Sequence, residues 1–79
     1  MWDTGDSDGE WNLGVAYESG KFGKVDAVKA LKHYQKAADG DDANALGRLG
    51  YAYEHGELGL EVDGAKALEY YAKAADSGE

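Results

Sequence analysis

The sequence predicts an all-α fold of two helix pairs, and three observations carry that reading. The chain repeats itself at a period of 36 to 37 residues. Its apolar residues recur at helical spacing, with no sustained strand alternation. It contains no proline, so no helix is interrupted by one.

The repeat is explicit. Leu13-Gly14-Val15-Ala16-Tyr17-Glu18-Ser19-Gly20 returns as Leu49-Gly50-Tyr51-Ala52-Tyr53-Glu54-His55-Gly56. Val25-Asp26 through Lys36-Ala37-Ala38-Asp39 returns as Val62-Asp63 through Lys73-Ala74-Ala75-Asp76. The second pair is spaced one residue wider, which places an insertion in the second unit's loop, where added length costs little. Asp3-Thr4-Gly5-Asp6 resembles Asp76-Ser77-Gly78-Glu79, so the chain is a single repeat domain of almost two periods. Repeat 1 covers about 5–40 and repeat 2 about 41–79.

Each unit reads as a helix A followed by a helix B. Helix A of the first unit spans Ser7 to Ser19. It is capped by Ser7 with Glu10 or by Asp6, and Gly20 ends it. Helix B starts at the N-cap Asp26 and carries Ala30, Leu31, Tyr34, Ala37 and Ala38 on one stripe, until Gly40 stops it. The second unit repeats the plan. Asp42 caps its helix A and Gly56 closes it, while Asp63 caps a helix B with the stripe Ala67, Leu68, Tyr71, Ala74 and Ala75. Gly14 and Gly50 lie inside helices, where glycine costs about 1 kcal/mol relative to alanine. Close approach of helices A and B is the expected compensation, with the alanine pairs of helix B as the facing small residues and leucine and tyrosine filling the space around the contact. Leu13 and Leu49 are expected in the core, where truncation to alanine costs roughly 2–5 kcal/mol.

Composition narrows the function. Sixteen Asp and Glu against eight Lys and Arg leave a net charge of −8, which opposes nucleic acid and anionic membranes and permits a basic protein partner. The absence of cysteine removes disulfides and thiolate chemistry. No apolar run approaches the roughly 20 residues of a membrane span, and MWDTGDSDGE lacks the basic and apolar regions of a signal peptide. A soluble chain is expected, with its compartment open. Asp6-Ser7-Asp8-Gly9 does not complete a calcium loop, because Val15 falls where the bidentate glutamate is required. His33 and His55 have no second ligand at zinc spacing. Ser7, Ser19 and Ser77 lack a paired base. No catalytic residue, metal or cofactor is expected.

The ordered pattern Leu-Gly-x-x-Tyr-Glu-x-Gly, a glycine-containing loop, Val-Asp, then Lys-Ala-Leu-x-x-Tyr-x-Lys-Ala-Ala resembles the Sel1-like repeat, a relative of the tetratricopeptide repeat. The resemblance covers residues 5–79 and both units. It implies an α/α solenoid of helix-turn-helix repeats in right-handed superhelical stacking, with helices A on the concave face, acting as an adaptor or scaffold for other proteins. The sequence departs from the family in having a short array, no proline in the A–B loop, and Leu46-Gly47-Arg48 where the first unit has Glu10-Trp11-Asn12.

By that resemblance, Leu13, Gly14 and Tyr17 face helix B, as do Leu49, Gly50 and Tyr53. The concave side takes Asp8, Trp11, Val15, Glu18 and Ser19 from the first unit, and Asn44, Gly47, Tyr51, Glu54 and His55 from the second. Trp11 and Tyr51 are the sharpest candidates for binding, since aromatic side chains dominate interface hot spots. Glu18 and Glu54 suit a cationic residue on a ligand. Trp11 and Trp2 could equally cover the end of the core. The alternative is a structural or engineered repeat fragment that self-associates through its exposed ends, by end-to-end stacking or helix exchange, with no ligand.

Overall fold

The computed structural model describes residues 7–77, and the side chains of residues 9–77. Four α-helices follow in order: α1 (Ser7–Ser19), α2 (Ala27–Asp39), α3 (Ala43–His55) and α4 (Gly64–Ser77). Each packs on its chain neighbour, α1 on α2, α2 on α3 and α3 on α4, giving a slab of 35 × 30 × 13 Å. The described residues contain no strand. The expected caps at Asp6 and Ser7, the cover by Trp2 and the side chain of Asp8 lie outside the described residues.

The local signals act where the sequence puts them. Asp26 accepts from the Lys29 backbone N–H at 3.1 Å, Asp42 from Asn44 at 2.9 Å, and Asp63 from Lys66 at 3.1 Å. Gly56 ends α3 in the left-handed region at φ 71°, a conformation that glycine adopts without Cβ strain. The two A–B loops share one bonding scheme. Lys21 N–H bonds Ala16 O at 2.9 Å and Glu57 N–H bonds Ala52 O at 2.9 Å. Asp26 and Asp63 N–H then reach the carbonyls of Tyr17 and Tyr53 at 2.9 and 2.8 Å. The extra residue of the second loop accompanies a buried Leu58 at φ 56°, while its counterpart Phe22 stays 59% exposed. A leucine holds that conformation only against strain, which its burial in the core offsets.

Side-chain pairings repeat as well. Tyr17 stacks on His33 and Tyr53 stacks on Tyr70, each pair at 5.6 Å. Lys29 and Lys66 lie over the same two helix A tyrosines, each at 5.4 Å.

The core sits on the seam between the units. Ala30, Tyr34, Ala37 and Ala38 of α2 meet Ala45, Leu46, Leu49 and Ala52 of α3, with Leu58 beneath. Two expectations are corrected here. Tyrosine rings, not the alanine pairs, fill the space opposite the glycines. A Cβ on Gly14 would lie 2.6 Å from the Tyr34 ring, and one on Gly50 would lie 2.9 Å from the Tyr71 ring. Leu13 is also not a core residue like Leu49. It is 37% exposed, whereas Leu49 is fully buried, because among the described residues α3 packs closely on a helix at each side and α1 packs closely on α2.

Candidate functional site

The helix A face is carried by α1 and α3, which flank α2 in packing order. On α1, Trp11, Val15 and Glu18 follow at i, i+4 and i+7 and so share one face. On α3, Asn44, Arg48, Tyr51 and His55 follow in the same way. Arg48 ties the two helices together. Its guanidinium donates to both carboxylate oxygens of Glu18, through Nε at 3.2 Å and through Nη2, and Nη2 also donates to Glu57 at 2.9 Å. The fork geometry of arginine suits this bidentate grip. The remaining nitrogen, Nη1, is buried with no acceptor.

Glu18 has a second bond, accepting from the Tyr34 hydroxyl at 2.6 Å. The Arg48 bond holds its carboxyl below the usual glutamate value, against partial burial that acts the other way. Burial, and then the Glu18 carboxylate, push the Tyr34 phenol up. The second unit repeats the contact with less cover: Tyr71 donates to Glu54 at 2.7 Å, and that bond raises its phenol as well.

The sequence-named residues fall into two groups. Trp11 and Glu18 are half-buried and engaged within the protein, Trp11 against Tyr34 at 5.1 Å between ring centroids. Val15, Ser19, Asn44, Tyr51, Glu54 and His55 are exposed. Among these, Tyr51 and His55 lie 4.3 Å apart, the Arg48 guanidinium sits 5.6 Å from the Tyr51 ring, and His55 Nε2 lies 3.7 Å from Glu54. Ser19 bonds its own helix, at Ala16 O. Gly47 does not break α3, which runs unbroken through it. A Cβ there would meet nothing within 4 Å, so the Gly47 position is open on α3, at the repeat position that Trp11 holds on α1.

Arg48, the tie between the units, is not among the residues expected at the binding face. Its signal was available, because a cation replaces the uncharged Asn12 at that one repeat position while the glutamate it meets is kept in both units. A separate open cleft of about 640 Å³ is lined by residues that include Ala38, Asp39, Leu46, Tyr70 and Lys73, and by none of the residues expected to bind a partner. Among the described residues, no His, Cys, Asp and Glu cluster is arranged to hold a metal ion. No described helix is long and apolar enough to cross a membrane.

No curated protein matches the chain. The family model of the Sel1 repeat matches twice, at residues 7–42 and 43–79, and its internal boundary falls at Asp42, the N-cap of α3. Each match takes in one A–B pair with its glycine–tyrosine contact and its Tyr–Glu bond. The chain therefore belongs to the Sel1 repeat family, whose members are helical, non-catalytic repeat scaffolds that generally mediate protein–protein interaction.

Proposed function

We propose that the α1 and α3 face docks an extended peptide or a partner's loop, carrying an apolar side chain for the open Gly47 position and a basic one for Glu54. The observation that carries this reading is the open Gly47 position, bordered on its own helix by Arg48 and the exposed Tyr51. Exposed aromatic side chains are the usual anchors of a small interface. The helix A carboxylates divide the work. Glu18, held by Arg48 and Tyr34, fixes the spacing of the two helices, while Glu54 is half-exposed and bonded only at one edge, so it is free to meet a cation. Trp11 and Val15 bound the face on α1. Ser19, Asn44 and His55 contribute polar contacts at its rim. The acidic balance of the chain favours a basic ligand over an acidic one.

The test is selection of peptides from a random displayed library against the intact chain, followed by titration of a selected peptide into variants. Tyr51→Ala and Gly47→Leu are expected to weaken binding by about tenfold or more, with helicity unchanged. Selected peptides that bind both variants as tightly as the parent chain would place the ligand elsewhere.

A further inference from the structure

The protein contains its own template for what covers the open side of α4. The face of α2 that α3 covers is rebuilt in α4 one period later, and there it is bare. Ala37 and Ala38 are buried at 0 and 8%, but Ala74 is only partly buried and Ala75 is exposed. Tyr34 is 1% exposed, whereas Tyr71 is half-buried. Leu31 packs against the core, and its counterpart Leu68 is 71% exposed. At the opposite end, α1 presents Leu13 half out of the protein at the position where α3 buries Leu49. The two ends are thus the two halves of the α2–α3 seam, separated by one molecule.

We propose that α1 of a second copy docks on the bare face of α4 in the register α3 uses on α2, joining chains head to tail. Leu13 of the second copy then meets the Tyr71 and Ala74 surface, as Leu49 belongs to one core with Tyr34 and Ala37. The polar edge is complementary too. Within the chain, Arg48 reaches back from the incoming helix to Glu18 of the preceding unit. Across the junction those positions are Asn12 of the second copy and Glu54. Lys21 of the second copy takes the position of Glu57, so a cation arrives beside the half-exposed Glu54 carboxylate. Glu10 of the second copy stands where Leu46 does, and enters already paired with its own His33 at 2.6 Å. The contact is weaker than the internal seam, with one leucine where α3 supplies two. It is opposed at long range by the −8 charge of each chain, so salt strengthens it.

Such an interface is heterologous and does not close on a pair, which makes it separable by complementation. Sedimentation of the intact chain from micromolar to millimolar concentration is expected to show a mass that rises past the dimer, more so at high salt. Leu13→Glu and Leu68→Glu each disable one end and are each expected to sediment as monomers. Mixed in equal amounts, they retain one good end apiece and are expected to form a dimer and nothing larger. Lys21→Glu, on an exposed loop, serves as a second variant at the α1 end and is expected to weaken association roughly fivefold without touching the core. A parent chain that stays monomeric throughout overturns the proposal, as does a mixture that stays monomeric. A Leu13→Glu chain that still dimerises with its helicity intact also overturns it, in favour of a symmetric pair through α4.

Discussion

The ring of Tyr34 occupies the volume that a Cβ on residue 14 would need, 2.6 Å from it at the nearest ring carbons. Tyr34 is 1% exposed and its hydroxyl is tied to Glu18, so the ring has nowhere to retreat. Gly14→Ala is therefore expected to destabilise the protein by about 1–3 kcal/mol, even though alanine is the better helix former. Gly50→Ala meets Tyr71 at 2.9 Å on the open side of α4, where the ring can shift, and is expected to cost less. Urea unfolding of the two variants side by side measures the difference. Equal losses would mean that the end of the array is as rigid as its middle.

Gly47 is the opposite case. It lies inside α3 with open space where a side chain would go. Gly47→Ala is expected to raise stability by about 1 kcal/mol through helix propensity alone. Thermal unfolding followed by circular dichroism checks this, and no gain would mean that the glycine meets a need of the fold itself.

Leu13 and Leu49 occupy one repeat position with different neighbours. Leu49→Ala is expected to cost roughly 2–5 kcal/mol, as for a fully buried leucine, and Leu13→Ala clearly less, because 37% of the Leu13 side is already open. Chemical unfolding at a protein concentration low enough to keep the chain monomeric measures both without contribution from self-association.

The Glu18 carboxyl and the Tyr34 phenol make stability depend on pH in opposite directions. The folded state lowers the Glu18 carboxyl below 4.5, so its stabilisation is present above that value and is lost as pH falls through the folded value. The folded state raises the Tyr34 phenol above 10.0, so its stabilisation is present below pH 10 and is lost as pH rises toward the folded value. Glu18→Gln is expected to cost about 1–3 kcal/mol at neutral pH and to flatten the acid limb of a stability profile. Tyr34→Phe is expected to flatten the alkaline limb. Unfolding free energy measured from pH 3 to 11 reads both, and acid limbs of equal slope in the parent and Glu18→Gln chains would place the acid sensitivity elsewhere.

What the sequence made legible was local. Asp26, Asp42 and Asp63 announce helix starts, and Gly40 and Gly56 announce ends, because a cap bonds to groups two or three residues away and needs no tertiary partner. Placing Trp11, Val15 and Glu18 together on α1 needed only the helical period. The rest depended on residues far along the chain. Gly14 could be read as a close approach but not as an approach to Tyr34. Glu18 carries the same letter as Glu54, yet it is committed to Arg48, a residue 30 positions later. Leu13 carries the same letter as Leu49, yet a periodic sequence cannot express that the first helix of an array has one neighbour and the third has two. Where Leu13 and Leu49 differ in role, the cause is their place in the row.

Tyr34, Leu46 and Leu49 are the largest fully buried side chains, and they come from opposite sides of the short turn at Gly40–Asp42. Most of the buried cluster is built from both halves at once. A lone copy would keep its loop, its end signals and its glycine–tyrosine contact but would lose most of that cluster. The inside of this protein is thus chiefly a property of the junction between neighbours rather than of either neighbour alone.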